Sequence, residues 1–261
     1  MNGSLFVGKT GLTAQDTALR VVANNLANIT TDGFKKDRAT FEDLIYQVQR
    51  QPGAQSAEGA ELPSGLQLGT GVRSSGTQKM FTQGTLNITN QNLDIAIEGR
   101  GFFQIELPSG ETGYTRSGRF QLNSEGSIVN SQGLALDPQI TVPSDATSLT
   151  IGTDGVVMVT QGADALVTQI GQLQLADFTN PSGLLAVGGN MYQETVASGA
   201  PVTGDPGSDA FGSTIQGALE NSNVNSVEEL VNMISTQRAF EMNSKVISTA
   251  DEMLSFVTQQ L

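Results

Sequence analysis

The C-terminal stretch Ser226–Leu261, SVEELVNMISTQRAFEMNSKVISTADEMLSFVTQQL, decides the fold. Met233, Phe240, Ile247, Leu254 and Leu261 recur every seven residues, and Ala250 and Val257 occupy the offset of three, the layout of a helix that shows one apolar seam to another helix. Such a seam needs a partner. The same period returns at the opposite end of the chain, where Leu5, Leu12, Leu19 and Leu26 are seven apart, with Val22 and Ile29 three residues on. The spacing predicts that the two termini pair as a coiled coil; the alternative is that each helix packs separately on a globular core. Ser226-Val227-Glu228-Glu229 fits a capping box, which sets the start of the second helix at Ser226. Gly8 and Gly11 fall inside the N-terminal pattern at a cost of ~1 kcal/mol each relative to Ala, so residues 1–30 are expected to be loosely ordered until a partner arrives.

Composition narrows the chemistry. The 261 residues contain no Cys, His or Trp, which excludes thiolate and imidazole metal sites, Ser-His triads and Cys nucleophiles. The formal net charge of −13 argues against wrapping nucleic acid, because few cations are present to neutralise phosphates. The acid concentrates in residues 46–214, with fifteen acidic against six basic side chains, as expected of a solvated outer surface. The opening MNGSLFVGKTGL lacks a cationic start and an unbroken apolar run, so it reads neither as a secretory signal nor as a membrane span. Taken alone, that implies a cytoplasmic chain.

The chain divides into four expected segments. Residues 1–45 hold the N-terminal helix, a stop at Asn28-Ile29-Thr30-Thr31-Asp32-Gly33, and the start of a short amphipathic helical face formed by Phe41, Leu44, Ile45 and Val48. Residues 46–79, rich in Gly and Pro, read as an extended linker without a core of its own, in which Leu62, Leu66 and Leu68 are candidate contacts. Residues 80–214 read as an antiparallel all-β domain. Phe103-Gln104-Ile105-Glu106-Leu107 and Leu173-Gln174-Leu175 alternate with period two, and turns are signalled at Pro108-Ser109-Gly110, Ser124-Glu125-Gly126, Thr153-Asp154-Gly155 and Pro181-Ser182-Gly183. Residues 215–261 form the C-terminal helix. The fold class is therefore α+β, a terminal helix pair with an inserted β domain.

No catalytic, cofactor-binding or metal-binding set emerges. Gly99-Arg100-Gly101 lacks the third glycine of a dinucleotide loop and reads as a strand-edge turn. Asp94 with Glu98 or Glu106 offers a carboxylate pair on which a cell-wall glycan hydrolase can be imagined, but acids in an acidic chain are mostly solvated surface. Asp154-Gly155 lacks the flanking oxygen ligands of a calcium loop.

Two strings change the reading. Ala23-Asn24-Asn25-Leu26-Ala27-Asn28-Ile29-Thr30-Thr31-Asp32-Gly33-Phe34-Lys35 resembles the N-terminal signature of the bacterial flagellar axial proteins, the rod and hook family. Ser222-Asn223-Val224-Asn225, then Glu228-Glu229-Leu230-Val231 and Gln237-Arg238-Ala239-Phe240-Glu241-Met242-Asn243-Ser244-Lys245, resembles that family's C-terminal signature. The likeness continues through Gly99-Arg100-Gly101-Phe102-Phe103 and Tyr114-Thr115-Arg116-Ser117-Gly118 and covers nearly the whole chain. The run Arg50-Gln51-Pro52-Gly53-Ala54-Gln55, with Leu62-Pro63-Ser64-Gly65-Leu66-Gln67 behind it, is similar to the extra segment of the distal rod branch, with a proximal rod or hook relative as the alternative. The resemblance implies a structural subunit, not an enzyme, that assembles helically into a hollow, stiff shaft. It implies no cofactor, and as partners further copies of itself, proximal rod subunits, hook protein, the surrounding bushing rings and the flagellar type III export apparatus. It also implies a periplasmic rod reached without a cleaved signal. The implied assembly seam comprises Leu5, Leu12, Leu19, Val22, Leu26, Met233, Phe240, Ile247, Ala250, Leu254 and Val257. Phe41 and Ile45 resemble the family's export element, although the buried face of an ordinary helix fits that pattern equally well. Pro52, Leu62, Pro63, Leu66 and Leu68 would stiffen the shaft.

Overall fold

A computed structural model of the chain describes residues 2–52, 55–57, 60–61, 64–162, 166–208 and 210–259. It is α+β, with a helix at each end, α1 (Asn2–Ala27) and α2 (Ser226–Gln259), and antiparallel strands between. The chain forms two compact units: residues 1–27, 37–78 and 225–261 make the first, and residues 28–36 and 79–224 the second.

In the first unit α1 and α2 lie against each other. A Cβ on Gly8 would sit 2.7 Å from Ile247 Cγ1, and one on Gly11 would sit 3.0 Å from Asn243 Nδ2. Near the other end of α1, Asn25 Nδ2 donates to Glu229 Oε2 at 3.4 Å, so the helices run antiparallel. The glycines that weaken α1 as an isolated helix thus leave the space that Ile247 and Asn243 of α2 occupy. The expected capping box is displaced by one residue. Asn225 Oδ1 accepts from the amides of Val227 (3.0 Å) and Glu228 (3.4 Å), while the buried Glu229 carboxylate faces Asn25 instead of reaching back along its own helix.

Two expectations for residues 41–79 do not hold. Phe41–Val48 is not helical: Asp37–Asp43 and Tyr46–Arg50 are strands, paired with Val72–Lys79 and Leu66–Gly69 respectively. Four apolar residues cannot nucleate a helix against the gain from long-range ladders, and Glu42 fixes its ladder by accepting from Arg73 Nη2 (2.8 Å) and Ser75 Oγ (3.0 Å). The segment 46–79 is accordingly a set of β ribbons, including Gln55–Ala57 with Ala60–Glu61, and not a structureless connection.

The second unit is the β domain, and it is larger at both ends than residues 80–214. Ser213–Gln216 pairs with Ile95–Glu98 and Ala218–Glu220 with Leu86–Ile88, so the chain up to Glu220 is still strand and the helix starts only at Ser226. Its main sheet runs Leu185–Gly188, Met191–Gln193, Thr112–Thr115, Phe102–Glu106, Leu175–Asp177, Val202–Gly204, and Leu136–Asp137 also pairs with Phe102–Glu106. Both faces of strand Phe102–Glu106 are covered. Phe103 and Ile105 enter a core with Ile95, Ile97, Phe120 and Leu175, whereas Phe102 enters an aromatic cluster with Tyr114, Phe178 and Tyr192. The rings meet edge to face, as at Tyr114–Phe178 with centroids 4.8 Å apart. All four turns read from the sequence fall between strands or, at Pro181–Gly183, in a 3₁₀ turn.

Candidate assembly surface

Of the expected seam residues, Val22 and Ala250 are buried, and Leu5, Leu12, Leu19, Leu26, Met233, Ile247 and Leu254 are half-buried. Phe240 is 43% exposed, because Ala239 beside it takes the inward position. The side chain of Val257 and all of Leu261 lie outside the described residues. The inward row of α2 includes Glu229, Met233, Thr236, Asn243, Ile247, Ala250 and Leu254.

The heptad reading overlooked a second face. Val231, Ile234, Met242, Val246, Met253 and Phe256 are all at least half exposed, and at 3.6 residues per turn their spacing returns them to one side of α2, away from the inward row. A helix with apolar residues on two sides is one made to be enclosed. In the sequence this face is a 3.6-residue period that overlaps the seven-residue one.

The signature residues are divided between the two units. Asn25, 2% exposed, accepts from the Asp37 amide at 2.9 Å and donates to the Asp37 carbonyl at 2.9 Å, so one side chain stands in for a neighbouring strand. In the second unit, Gly33 has φ +71° and lies so close to the backbone that a Cβ would meet Ser117 N at 2.6 Å. Asn28 Oδ1 accepts from Thr31 Oγ1 at 3.3 Å, and Asp32 pairs with Arg119 at 2.6 Å. Asn223 Oδ1 accepts from Lys36 N at 2.8 Å, while its Nδ2 donates to Met80 O at 2.7 Å. On α2, Gln237 and Arg238 are exposed, Asn243 faces Gly11, and Asn24 is exposed on α1. Phe41 and Ile45 are exposed, as are Pro52, Leu66 and Leu68; Leu62 and Pro63 lie outside the described residues.

One buried charge cluster went unread. Lys35 and Glu220, both fully buried, pair at 2.6 Å, and Arg116 Nη1 stands 3.5 Å from the second oxygen of Glu220. Burial pushes the Lys35 ammonium below its ordinary range, against the opposing pull of the Glu220 charge. Arg116 also donates to the Gly99 carbonyl at 2.7 Å and lies over the Phe102 ring. Asp94, considered for carboxylate chemistry, accepts from Thr89 Oγ1 at 2.6 Å. No group of three potential metal ligands occurs among the described residues.

The comparisons agree with this geometry. The flagella basal body rod protein family model matches residues 5–35, the flagellar hook protein FlgE/F/G D1 domain matches residues 96–159, and the flagellar basal body rod FlgEFG protein C-terminal model matches residues 215–260. The chain is 51% identical to flagellar basal-body rod protein FlgG of Buchnera aphidicola subsp. Schizaphis graminum over 98% of each chain. This chain belongs to the FlgG family of flagellar basal-body rod proteins. For Caulobacter vibrioides, identity to FlgG is 45% over 98% of each chain, against 34% to FlgF over 100% of this chain and 98% of that one, so the FlgG branch is the better match within one organism. The rod protein is structural and not an enzyme, as its relatives are, and its place is the basal-body rod. No helix among the described residues is long and apolar enough to cross a membrane.

Proposed function

We propose that the chain is the distal rod subunit, polymerising helically into a hollow, stiff shaft that transmits torque from motor to hook. The observation that carries this reading is the exposed apolar row on α2 from Val231 to Phe256. A single chain leaves it in water, whereas the helices of further copies would cover it. In the same reading α1 and α2 wind as a coiled coil through Leu5, Leu12, Leu19, Val22, Leu26, Met233, Ile247, Ala250 and Leu254, a register supported by the seven-residue spacing and by the full or partial burial of these residues. The partners are further copies, proximal rod subunits, hook protein and the bushing rings. The rod lies in the periplasm, and the subunit leaves the cell through the flagellar type III apparatus, with Phe41 and Ile45 as the export element, and without a cleaved signal.

Met242→Glu tests the central part. Met242 is 64% exposed, so the substitution is expected to change the stability of the lone chain by no more than about 0.5 kcal/mol. The same charge in a closed helical interface would be desolvated, so rods are expected to be absent and cells non-motile. Normal rods in that strain would refute the reading.

The ribbon formed by Tyr46–Arg50 and Leu66–Gly69 supplies the stiffness in this proposal. Its described residues are exposed on both faces, with Tyr46 and Val48 on one and Leu66 and Leu68 on the other, and a two-stranded ribbon is marginal alone. Wedged between copies, it would stop them sliding. Pro52 and Gly65 already touch, since a Cβ on Gly65 would sit 2.7 Å from Pro52 Cδ, so excising residues 53–64 rejoins neighbouring positions. The shortened subunit is expected to be exported and to form bent or short rods; micrographs showing rods as straight and complete as wild type would leave the segment a spacer.

A further inference from the structure

The chain passes out of the β unit after Lys36, back in at Lys79 and out again after Val224, and three connecting segments of the unit meet beside these points. Met80 N donates to Lys36 O at 2.9 Å, and Asn223 N donates to Phe34 O at 3.4 Å. The Asn223 side chain binds both neighbours: Oδ1 accepts from Lys36 N, and Nδ2 donates to Met80 O, to Thr82 O at 3.1 Å and to Thr82 Oγ1 at 2.9 Å. Beneath it, Lys35 Nζ donates to Thr82 O at 2.8 Å and to Glu220 Oε1, which also accepts from Gly84 N at 2.8 Å. The three segments are distant in sequence, with Lys35 and Glu220 separated by 185 residues.

We propose that Asn223, Thr82 and the Lys35–Glu220 pair form a force-bearing staple, which makes the segments Phe34–Lys36, Met80–Gly84 and Glu220–Asn223 yield to load together or not at all. The inference rests on the torque-carrying role proposed above. Force that reaches the β unit enters through these segments. Bonds that share one side chain and one buried ion pair are loaded at the same time, whereas strands joined by backbone ladders alone peel one bond at a time. Buried charge favours the same outcome. Opening any one segment would expose the partner of a desolvated ion to a low-dielectric gap before water arrives, which raises the barrier to the first step. Resistance to pulling follows the unfolding rate and not the equilibrium stability. Asn223 is therefore a positioning residue whose mechanical effect exceeds its thermodynamic one.

The test is single-molecule pulling on the full chain through Arg38→Cys and Val227→Cys, which are unique handles because the sequence has no cysteine. Asn223→Ala is compared with Ile97→Val, a change in the same unit's core, after both have been ranked by urea unfolding. At equal stability, Asn223→Ala is expected to unfold about tenfold faster at fixed force, the factor given by the loss of one or two hydrogen bonds from the barrier. Thr82→Val, which removes only the hydroxyl contact, is expected to shift the rate in the same direction by less, and it decides the matter if Asn223→Ala does not fold. Force responses that match Ile97→Val at equal stability overturn the staple. Because the assay reads one chain, that result leaves the assembly reading untouched, and absent rods in the Met242→Glu strain bear on assembly alone.

Discussion

Gly8 offers the sharpest test of the helix pair. In a solvated helix, Gly8→Ala is expected to stabilise by about 1 kcal/mol, the propensity difference between the two residues. Here the added methyl lands 2.7 Å from Ile247 Cγ1 and 3.2 Å from its Cδ1, closer than carbon atoms approach. Overpacking of that kind costs roughly 1–3 kcal/mol, so the net change is expected to run from nearly neutral to about 2 kcal/mol destabilising. Shortening the partner removes the collision. In an Ile247→Ala background the same Gly8→Ala change is expected to recover its full gain of about 1 kcal/mol, so the coupling energy across the cycle lies at about 1–3 kcal/mol. Urea unfolding followed by far-UV circular dichroism on the four chains measures it. If Gly8→Ala stabilises equally in both backgrounds, Gly8 does not face Ile247 and the antiparallel pairing of α1 with α2 is wrong.

Lys35→Met leaves the Glu220 carboxylate buried with Arg116 at 3.5 Å as its remaining cation, a loss of about 3–5 kcal/mol; Lys35→Met with Glu220→Gln together is expected to cost less than the sum of the single changes, and simple additivity in denaturation would show the pair to be uncoupled. Tyr114 is pushed up to about 12, by burial first and then by the Glu194 and Asp137 charges. Because the folded phenol resists ionisation, its contribution to stability is intact below the ordinary value of 10.0 and is lost as pH rises from there toward 12. Ultraviolet titration is expected to show one tyrosine ionising late, and a Tyr114 that titrates at its ordinary value would show that the aromatic cluster is open to water.

The terminal helices and the β domain were legible because each rests on a local period, seven in the helices and two in strands such as Phe102–Glu106. What the sequence hid depends on distant partners. Phe41, Leu44, Ile45 and Val48 fit a helical face, yet Asp37–Asp43 and Tyr46–Arg50 become strands because Val72–Lys79 and Leu66–Gly69 arrive to pair with them. Gly8 and Gly11 read as weaknesses until Ile247 and Asn243 occupy the space they leave. Lys35, Arg116 and Glu220 are buried without a local sign of it, since nothing in the neighbouring sequence marks a lysine for complete burial. The Ala23–Lys35 string carries a family resemblance whose physics lies in distant partners. Asn25 in place of a strand and Gly33 in a space without room for a Cβ supply that physics for two of its positions.

If α2 is enclosed on both sides once copies assemble, a density map of the assembled rod at side-chain resolution is expected to show α1 on the Met233, Ile247 and Ala250 side of α2 within each copy, and the row Val231, Ile234, Met242, Val246, Met253 and Phe256 buried against helices of other copies. A rod in which that row faces solvent would contradict it.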